Sequence, residues 1–448
     1  MTSHKFRAFT TLLLTITASL LFVASSAAQT TTPSSLTVLR FNDGGDDRPG
    51  RMTTDAAGNF YVTLGSDIAP SGFFEILKYN SQNKLTVIRH LNQPGEFAGK
   101  ALAVKTDKLG NIYAVGSSSI GGLVVSFTPS GSQRWADHFN GIPVALAVDA
   151  TGNVYAAGTL STGNFQSEFA VTKYSSSGKV LWEAIHAGTI KDDVRLTDMQ
   201  LDSAGNPVLL GTTNIALATL TSTMTTWKLD TQGATLWVRD FVANPHASNN
   251  PSGLALDAAD SVYATGETGP VVGFAFTVKY DLKGNRQFVL SGDESGGVSV
   301  AIDPSGDVLL VGGLTVSNLP PVAVSVVSKY HPNGVKVWTT QVVGAGKVLS
   351  DASGNIFVAG SLPQPTINPT GDNYFVSKLS PNGKFLFNKI FPQGQDVSDA
   401  AFDTSGNLIV TGHLVDSVGD QKIVTLKLAK GFTPASAHSK NSGRIIAV

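Results

Sequence analysis

One segment recurs eight times along the chain: apolar-x-apolar-Asp-x-x-Gly-Asn, an apolar run, then Gly. Its copies start at Asp55 (DAAGNFYVTLG), Asp107 (DKLGNIYAVG), Asp149, Asp202, Asp257, Asp303, Asp351 and Asp403, about 42 to 55 residues apart. A period of that size means a supersecondary unit that cannot bury its own apolar face and must stack on its neighbours. After each copy comes a short strand, a turn and a further strand, usually with Gly in the turn and an aromatic beyond it, as in VTKYSSSGKVLWEAI (171–185) and VSKYHPNGVKVW (327–338). Val, Ile, Tyr, Phe and Thr fill the strands, and Gly, Asn, Asp, Ser and Pro stand at their ends, as half-buried strands and tight hairpins require. Four short strands, two hairpins and no amphipathic helix per unit predict an all-β fold, a β-propeller of four-stranded antiparallel blades.

The eighth unit stops after its third strand (422–431), and the missing strand stands at the other end. Leu36-Thr-Val-Leu-Arg-Phe-Asn-Asp43 nearly repeats Leu85-Thr-Val-Ile-Arg-His-Leu-Asn92, the fourth strand of the first unit. The reading is therefore a single eight-bladed propeller closed by the N-terminal strand, which removes two exposed sheet edges. Seven blades with one stray unit is the alternative.

The D-x-x-G-N-x-Y-x-x-G core resembles that of the bacterial secreted β-propeller repeat family known by the initials SBBP, across roughly 36 to 431. Asp260-Ser261 and Gly306-Asp307 depart from it where Gly-Asn is usual. The NHL-like propellers, through GNVYAAG, and the quinoprotein-type propellers, through GKVLW, are similar more distantly. Family membership implies an exported propeller and no particular reaction.

Residues 1–28 read as a signal peptide: Lys5 and Arg7, an apolar run from Thr11 to Ala24, then Ser26-Ala27-Ala28 before cleavage. The apolar run is too short for the roughly 20 residues of a membrane span, so no transmembrane anchor is expected after cleavage. The predicted location is secreted, extracellular or periplasmic. The propeller occupies 29–431, and 432–448 is read as a flexible tail. With no Cys among 448 residues, disulfides contribute nothing, and buried surface alone must hold the fold. A net charge of −1, with 15% charged residues, leaves no basic excess for nucleic acid. A monomer is expected.

Three columns repeat with the units. The Asp is read as a turn cap, its carboxylate accepting backbone N–H groups, because a catalytic group is needed once and this one appears eight times. Trp135, Trp182, Trp237, Phe288, Trp338 and Phe387, with Val87 and Val38, are expected to pack between neighbouring blades. Lys78, Lys173, Lys228, Lys279, Lys329, Lys378 and Lys427, with Ser126 as the exception, are read as lysines snorkelling from an outer strand.

The first strand of each blade should line a central channel, with residues four and two before the repeat Asp on its wall. The four-back column is Arg51, Ala103, Ala145, Asp198, Gly253, Ser299, Lys347 and Asp399; the two-back column is Thr53, Lys105, Ala147, Gln200, Ala255, Ala301, Leu349 and Ala401. Charge is thus confined to few positions. Asp198, Asp399, Lys347 and Arg51 are the catalytic candidates, weighed against a salt-bridged cluster in which Lys347 and Arg51 flank Asp399. No metal or nucleophile motif is found, and no cofactor is identified. Asp43, Asp46 and Asp47 are candidate Ca²⁺ ligands, though their spacing fits no established Ca²⁺ loop and a solvated turn competes.

Two functions follow as expectations. The first is a binding or scaffold module recognising a protein, glycan or surface polymer through the face with variable loops (Asn42–Gly50, Asn92–Lys100, His186–Thr197, Val242–Ser252, Leu362–Asn373). The second is a hydrolase or lyase acting on a polysaccharide or lactone at the channel mouth.

Overall fold

The structure, a computed structural model, describes residues 35–42, 47–66, 74–90, 99–163, 166–187, 193–216, 221–269, 274–291, 297–315, 323–362, 374–392, 394–415 and 421–434. The signal-peptide region, Asp43, Asp46 and residues 435–448 lie outside them. The described residues form 32 strands and no helix, so none of their elements is a helix able to cross a membrane.

The strands form an all-β, propeller-like array of four-stranded antiparallel sheets, each holding one repeat Asp. The Asp202 unit is typical, with strands Asp193–Leu201, Pro207–Ala216, Thr221–Leu229 and Thr235–Phe241 hydrogen-bonded in chain order. The Asp55 and Asp107 units share one eight-stranded sheet, joined only through the pair Gly65–Lys100. In the Asp403 unit, strand Leu36–Phe41 occupies the fourth place and pairs antiparallel with Gln421–Leu428, Leu36 opposite Leu428. Ala429 N–H donates to Ser35 C=O at 3.1 Å and Phe432 N–H to Ala429 C=O at 2.8 Å. The Ser175–Lys179 hairpin makes the same two bonds, so the two chain ends together rebuild a turn that elsewhere is continuous. Phe432 is buried and stacks edge-on with Phe387, so the last blade extends beyond the expected start of the tail at 432.

The core lies between units rather than within them. Val208, Leu210, Trp237 and Phe241 of the Asp202 unit pack with Leu254, Val262, Phe276 and Tyr280 of the next. Met52, Phe60 and Val62 likewise pack with Ile409 and Ile423. Alternating side chains point to opposite neighbours, so the inner strands of the sheets are buried on both faces while the fourth strands stay partly exposed.

The aromatic column seals these seams. Trp135, Trp182, Trp237 and Trp338 donate their indole N–H to carbonyls of the following hairpin, at Ser176, Thr231, Leu282 and Pro381, over 2.9–3.2 Å. A Cβ on Gly178 would lie 2.7 Å from Trp135, so the hairpin glycine is fixed by this approach as well as by its φ of +90°. Val87 does not share this seam. The Leu85–Arg89 strand lacks the bulge of the other hairpins, and without that extra residue Val87 turns to the Asp403 unit while Ile88 meets Gly131.

The repeat Asp caps its turn as expected. Asp55 Oδ1 accepts from the backbone N–H of Ala57 and Asn59, both at 2.9 Å, and Oδ2 from the Asn59 side chain and the Tyr61 hydroxyl. The lysine column departs from expectation: Lys173, Lys228, Lys279 and Lys329 are buried rather than snorkelling. Each points inward at the repeat Asp of its own unit, closest at 2.6 Å for Lys329–Asp303 and 2.7 Å for Lys228–Asp202. The capping carboxylate has a second oxygen to satisfy, and a cation on the third strand supplies it. Ser126 breaks the column, and Arg134 replaces the lysine by donating to Ser126 Oγ at 2.9 Å and to the Tyr113 hydroxyl at 3.2 Å.

The two departures from Gly-Asn are also compensated. Asp260 takes the left-handed φ of 56° that Gly has elsewhere and accepts from Ser203 N–H and Oγ of the preceding unit. Asp307 binds Lys329 at 3.0 Å and His331 at 2.8 Å.

Candidate functional site

First strands of all eight Asp units contribute to the lining of one cavity of about 790 Å³. Its wall carries every one of the four catalytic candidates, because residues at even spacing along a strand share a face. The guanidinium of Arg51, on strand Asp47–Thr54, reaches strand Asp193–Leu201 three units on. Its Nη1 lies 2.6 Å from Asp198 Oδ1 and its Nη2 donates to Thr197 C=O at 2.7 Å. Burial works against the charge on Arg51, but the Asp198 carboxylate outweighs it, with Asp399 adding to the effect, and the guanidinium is held protonated above its ordinary range.

Asp399, on strand Asp396–Phe402, is held separately. Its Oδ1 lies 2.6 Å from Lys347 Nζ and accepts Ala400 N–H at 2.8 Å, while Oδ2 accepts Met52 N–H at 2.9 Å. The expected flanking by Lys347 is thus present. The expected contact from Arg51 is replaced by the backbone of its neighbour, since the long guanidinium side chain extends over the channel instead. Asp198 and Asp399 are each tied to a different cation, so the wall carries two ion pairs rather than a pair of carboxylates facing a common bond.

A fifth charge was not singled out by sequence reasoning. Lys105, on strand Gly99–Thr106, is the one charged member of the two-back column and lines the same cavity. It is accessible to solvent within the channel yet surrounded by wall, and among the described residues its ammonium meets neither a hydrogen-bond acceptor nor an ion-pair partner. Burial, reinforced by the Lys347 ammonium, pushes it below the usual lysine range despite Asp399 and Asp198. Its isolation in its column was the available signal.

Asp47 opens its strand as a buried side chain, while Asp43 and Asp46 lie outside the described residues. Among the described residues no group of three or more His, Cys, Asp or Glu is placed to hold a metal ion. On the opposite side of the sheets from the Asp turns, the connection Val242–Ser252 is organised by the buried Asn249. Its amide donates to the carbonyls of Ser222, Asn244 and Ala247, and its oxygen accepts from Ala243 and Asn244 N–H. Pro245 and His246 stand exposed at its tip.

No protein-family model matches the chain, and no curated protein matches it. Among solved structures it is similar to the Neurospora crassa Pan2 WD40 domain, at 12% identity and a TM-score of 0.46 over 88% of this chain and 95% of that one. It is similar to Drosophila Semaphorin 2a at 8% identity and a TM-score of 0.47, over 88% and 75%. The α-L-arabinofuranosidase Arb93A of Fusarium graminearum matches at 11% identity and a TM-score of 0.43, over 87% and 94%.

Proposed function

We propose that the protein is a secreted, monomeric, eight-bladed β-propeller of the bacterial secreted propeller repeat type, closed by strand Leu36–Phe41, that serves as a binding module. Its partner is a protein, glycan or surface polymer met by the face opposite the Asp turns. The observation that carries this reading is the contrast between the two ends of the sheets. One end repeats the same capped turns and hairpins, while the other holds connections of differing length, of which Val242–Ser252 is a preformed loop with an exposed tip. Variable loops on a rigid scaffold are where recognition concentrates, and a loop already ordered by Asn249 loses little entropy on binding.

The alternative, a hydrolase or lyase using Asp198, Asp399, Lys347 and Arg51, draws on their shared cavity. Against it, each carboxylate already has a cation, and Asp399 two backbone N–H donors besides, an arrangement that holds the wall together rather than leaving an acid or base free. Ca²⁺ binding by Asp43, Asp46 and Asp47 is proposed independently of both readings, and a rise in melting temperature with Ca²⁺ reversed by EDTA tests it.

The test of the binding reading is an immobilised glycan and envelope-polymer panel probed with residues 29–448 and with the double variant Pro245→Gly/His246→Ala. Saturable binding that the loop variant weakens, and that Lys179→Ser on the hairpin face leaves intact, is expected. Binding by neither protein, or equal binding by both variants, counts against recognition through this loop.

A further inference from the structure

The channel wall holds three cations and two carboxylates at Arg51, Lys105, Lys347, Asp198 and Asp399. Two pairs account for four of these charges, at 2.6 Å each. Lys105 is the remainder. It sits where two committed cations repel it; Asp399 is occupied by Lys347 and two backbone N–H groups, and Asp198 holds Arg51 through Oδ1. Elsewhere in this molecule cations in the third-strand column are met by the repeat Asp, so the sequence does provide partners for lysines that only stabilise the fold.

The geometry points to a small-oxyanion site in the channel, with the Lys105 ammonium as the donor that binds a carboxylate or phosphate group of a small ligand. The cavity of about 790 Å³ falls within the range of small-molecule sites and admits an anion with an organic body attached. Gln200, a polar member of the same column two units on, donates its amide N–H to Leu254 C=O at 2.5 Å and offers its oxygen to the ligand's hydroxyl or N–H groups. The Arg51–Asp198 pair spans the cavity and limits the ligand's size. An arriving oxyanion neutralises the surplus charge and restores the ammonium to its ordinary range, which is where the binding energy comes from. This site is separate from the loop face, so its failure leaves the loop reading untouched.

The test is calorimetric titration at low ionic strength with inorganic phosphate, glucuronate and neutral glucose, using the wild type, Lys105→Met and the exposed control Lys384→Met. Saturable binding of phosphate or glucuronate, but not glucose, is expected, and whichever anion binds identifies the head group. Lys105→Met is expected to weaken it about ten- to hundredfold, the worth of a charge-assisted hydrogen bond, with Lys384→Met unchanged. Without anion, Lys105→Met is expected to melt no lower than the wild type. Where that variant fails to fold, ¹³C-dimethyl-lysine NMR replaces it, with the Lys105 signal identified by its loss in Lys105→Arg. Absence of saturable oxyanion binding, binding indifferent to Lys105→Met, or a Lys105 resonance unmoved by saturating phosphate and glucuronate overturns the site.

Discussion

Two lysine–aspartate pairs in this molecule have nearly the same length and opposite meanings. Lys228–Asp202, at 2.7 Å, is wholly buried in the framework; Lys347–Asp399, at 2.6 Å, lies on the channel wall with Lys347 nearly half exposed. The first has counterparts in several other units, and the second has none. In the framework the pair completes a turn cap that each unit needs, and burial of Asp202 is offset by the Lys228 ammonium and the Asn206 side chain, which hold its carboxyl below the ordinary value. On the wall Lys347–Asp399 has one companion, Arg51–Asp198, and neither recurs from unit to unit among the described residues, so repetition cannot explain them. In a repeat protein, chemistry that recurs belongs to folding, and chemistry that occurs once marks where the units were individually altered.

Breaking the framework pair should have the largest effect. Asp202→Ala strands the Lys228 ammonium without a counter-ion, at a cost of about 3–5 kcal/mol, whereas Asp202→Ala with Lys228→Met should recover much of that loss; chemical denaturation of the three proteins checks it. Alkali is the next way to separate the regions. Burial pushes the hydroxyls of Tyr79 and Tyr280, at the ends of third strands, up to about 12. A folded value above the unfolded one of about 10 means the stabilisation is complete below pH 10 and lost as pH rises to 12, on the order of 2 kcal/mol per ring. Melting temperatures between pH 9 and 12 should fall steeply, and Tyr280→Phe should flatten the fall.

Trp182→Phe keeps most of the seam packing but deletes the bond to Thr231 C=O, and should cost about 1 kcal/mol in denaturant titration. The smallest effect belongs to the wall. Lys347→Gln should change stability by about 1 kcal/mol or less, because the pair is partly solvated, and added salt should shrink the difference further. A loss there as large as that of Asp202→Ala would erase the distinction between framework and wall.

The all-β architecture was legible because eight copies average out local ambiguity. Period-two alternation before each Asp placed Arg51, Asp198, Lys347 and Asp399 on one wall, and the cavity contains all four. Side-chain direction was less legible. A lysine in a strand reads alike whether its ammonium leaves the sheet or turns back to a carboxylate four strand residues away in space, so the burial of Lys228 was missed. Arg51 pairs with Asp198, while Asp399 takes Lys347 and the N–H groups of Met52 and Ala400, a choice between aspartates that strand periodicity does not reveal. A bulge inserts one residue without altering composition, so the sequence does not tell that Val87 packs toward the Asp403 unit while the tryptophans pack toward the following hairpin. Asn249 sits in no repeat and gave no signal at all.

The turn assembled from Ser35 and Ala429–Phe432 has a temporal consequence. Leu36 pairs with Leu428 across almost all of the described residues, so this sheet cannot be completed until the chain has been made through Leu428. Contacts of such separation form slowly. A chain cut short before Gln421 would keep its other hairpins and still leave strand Leu36–Phe41 without its partner, an open edge ready to pair with another molecule. The joint between strands Leu36–Phe41 and Gln421–Leu428 therefore forms only once the strands between them have been made.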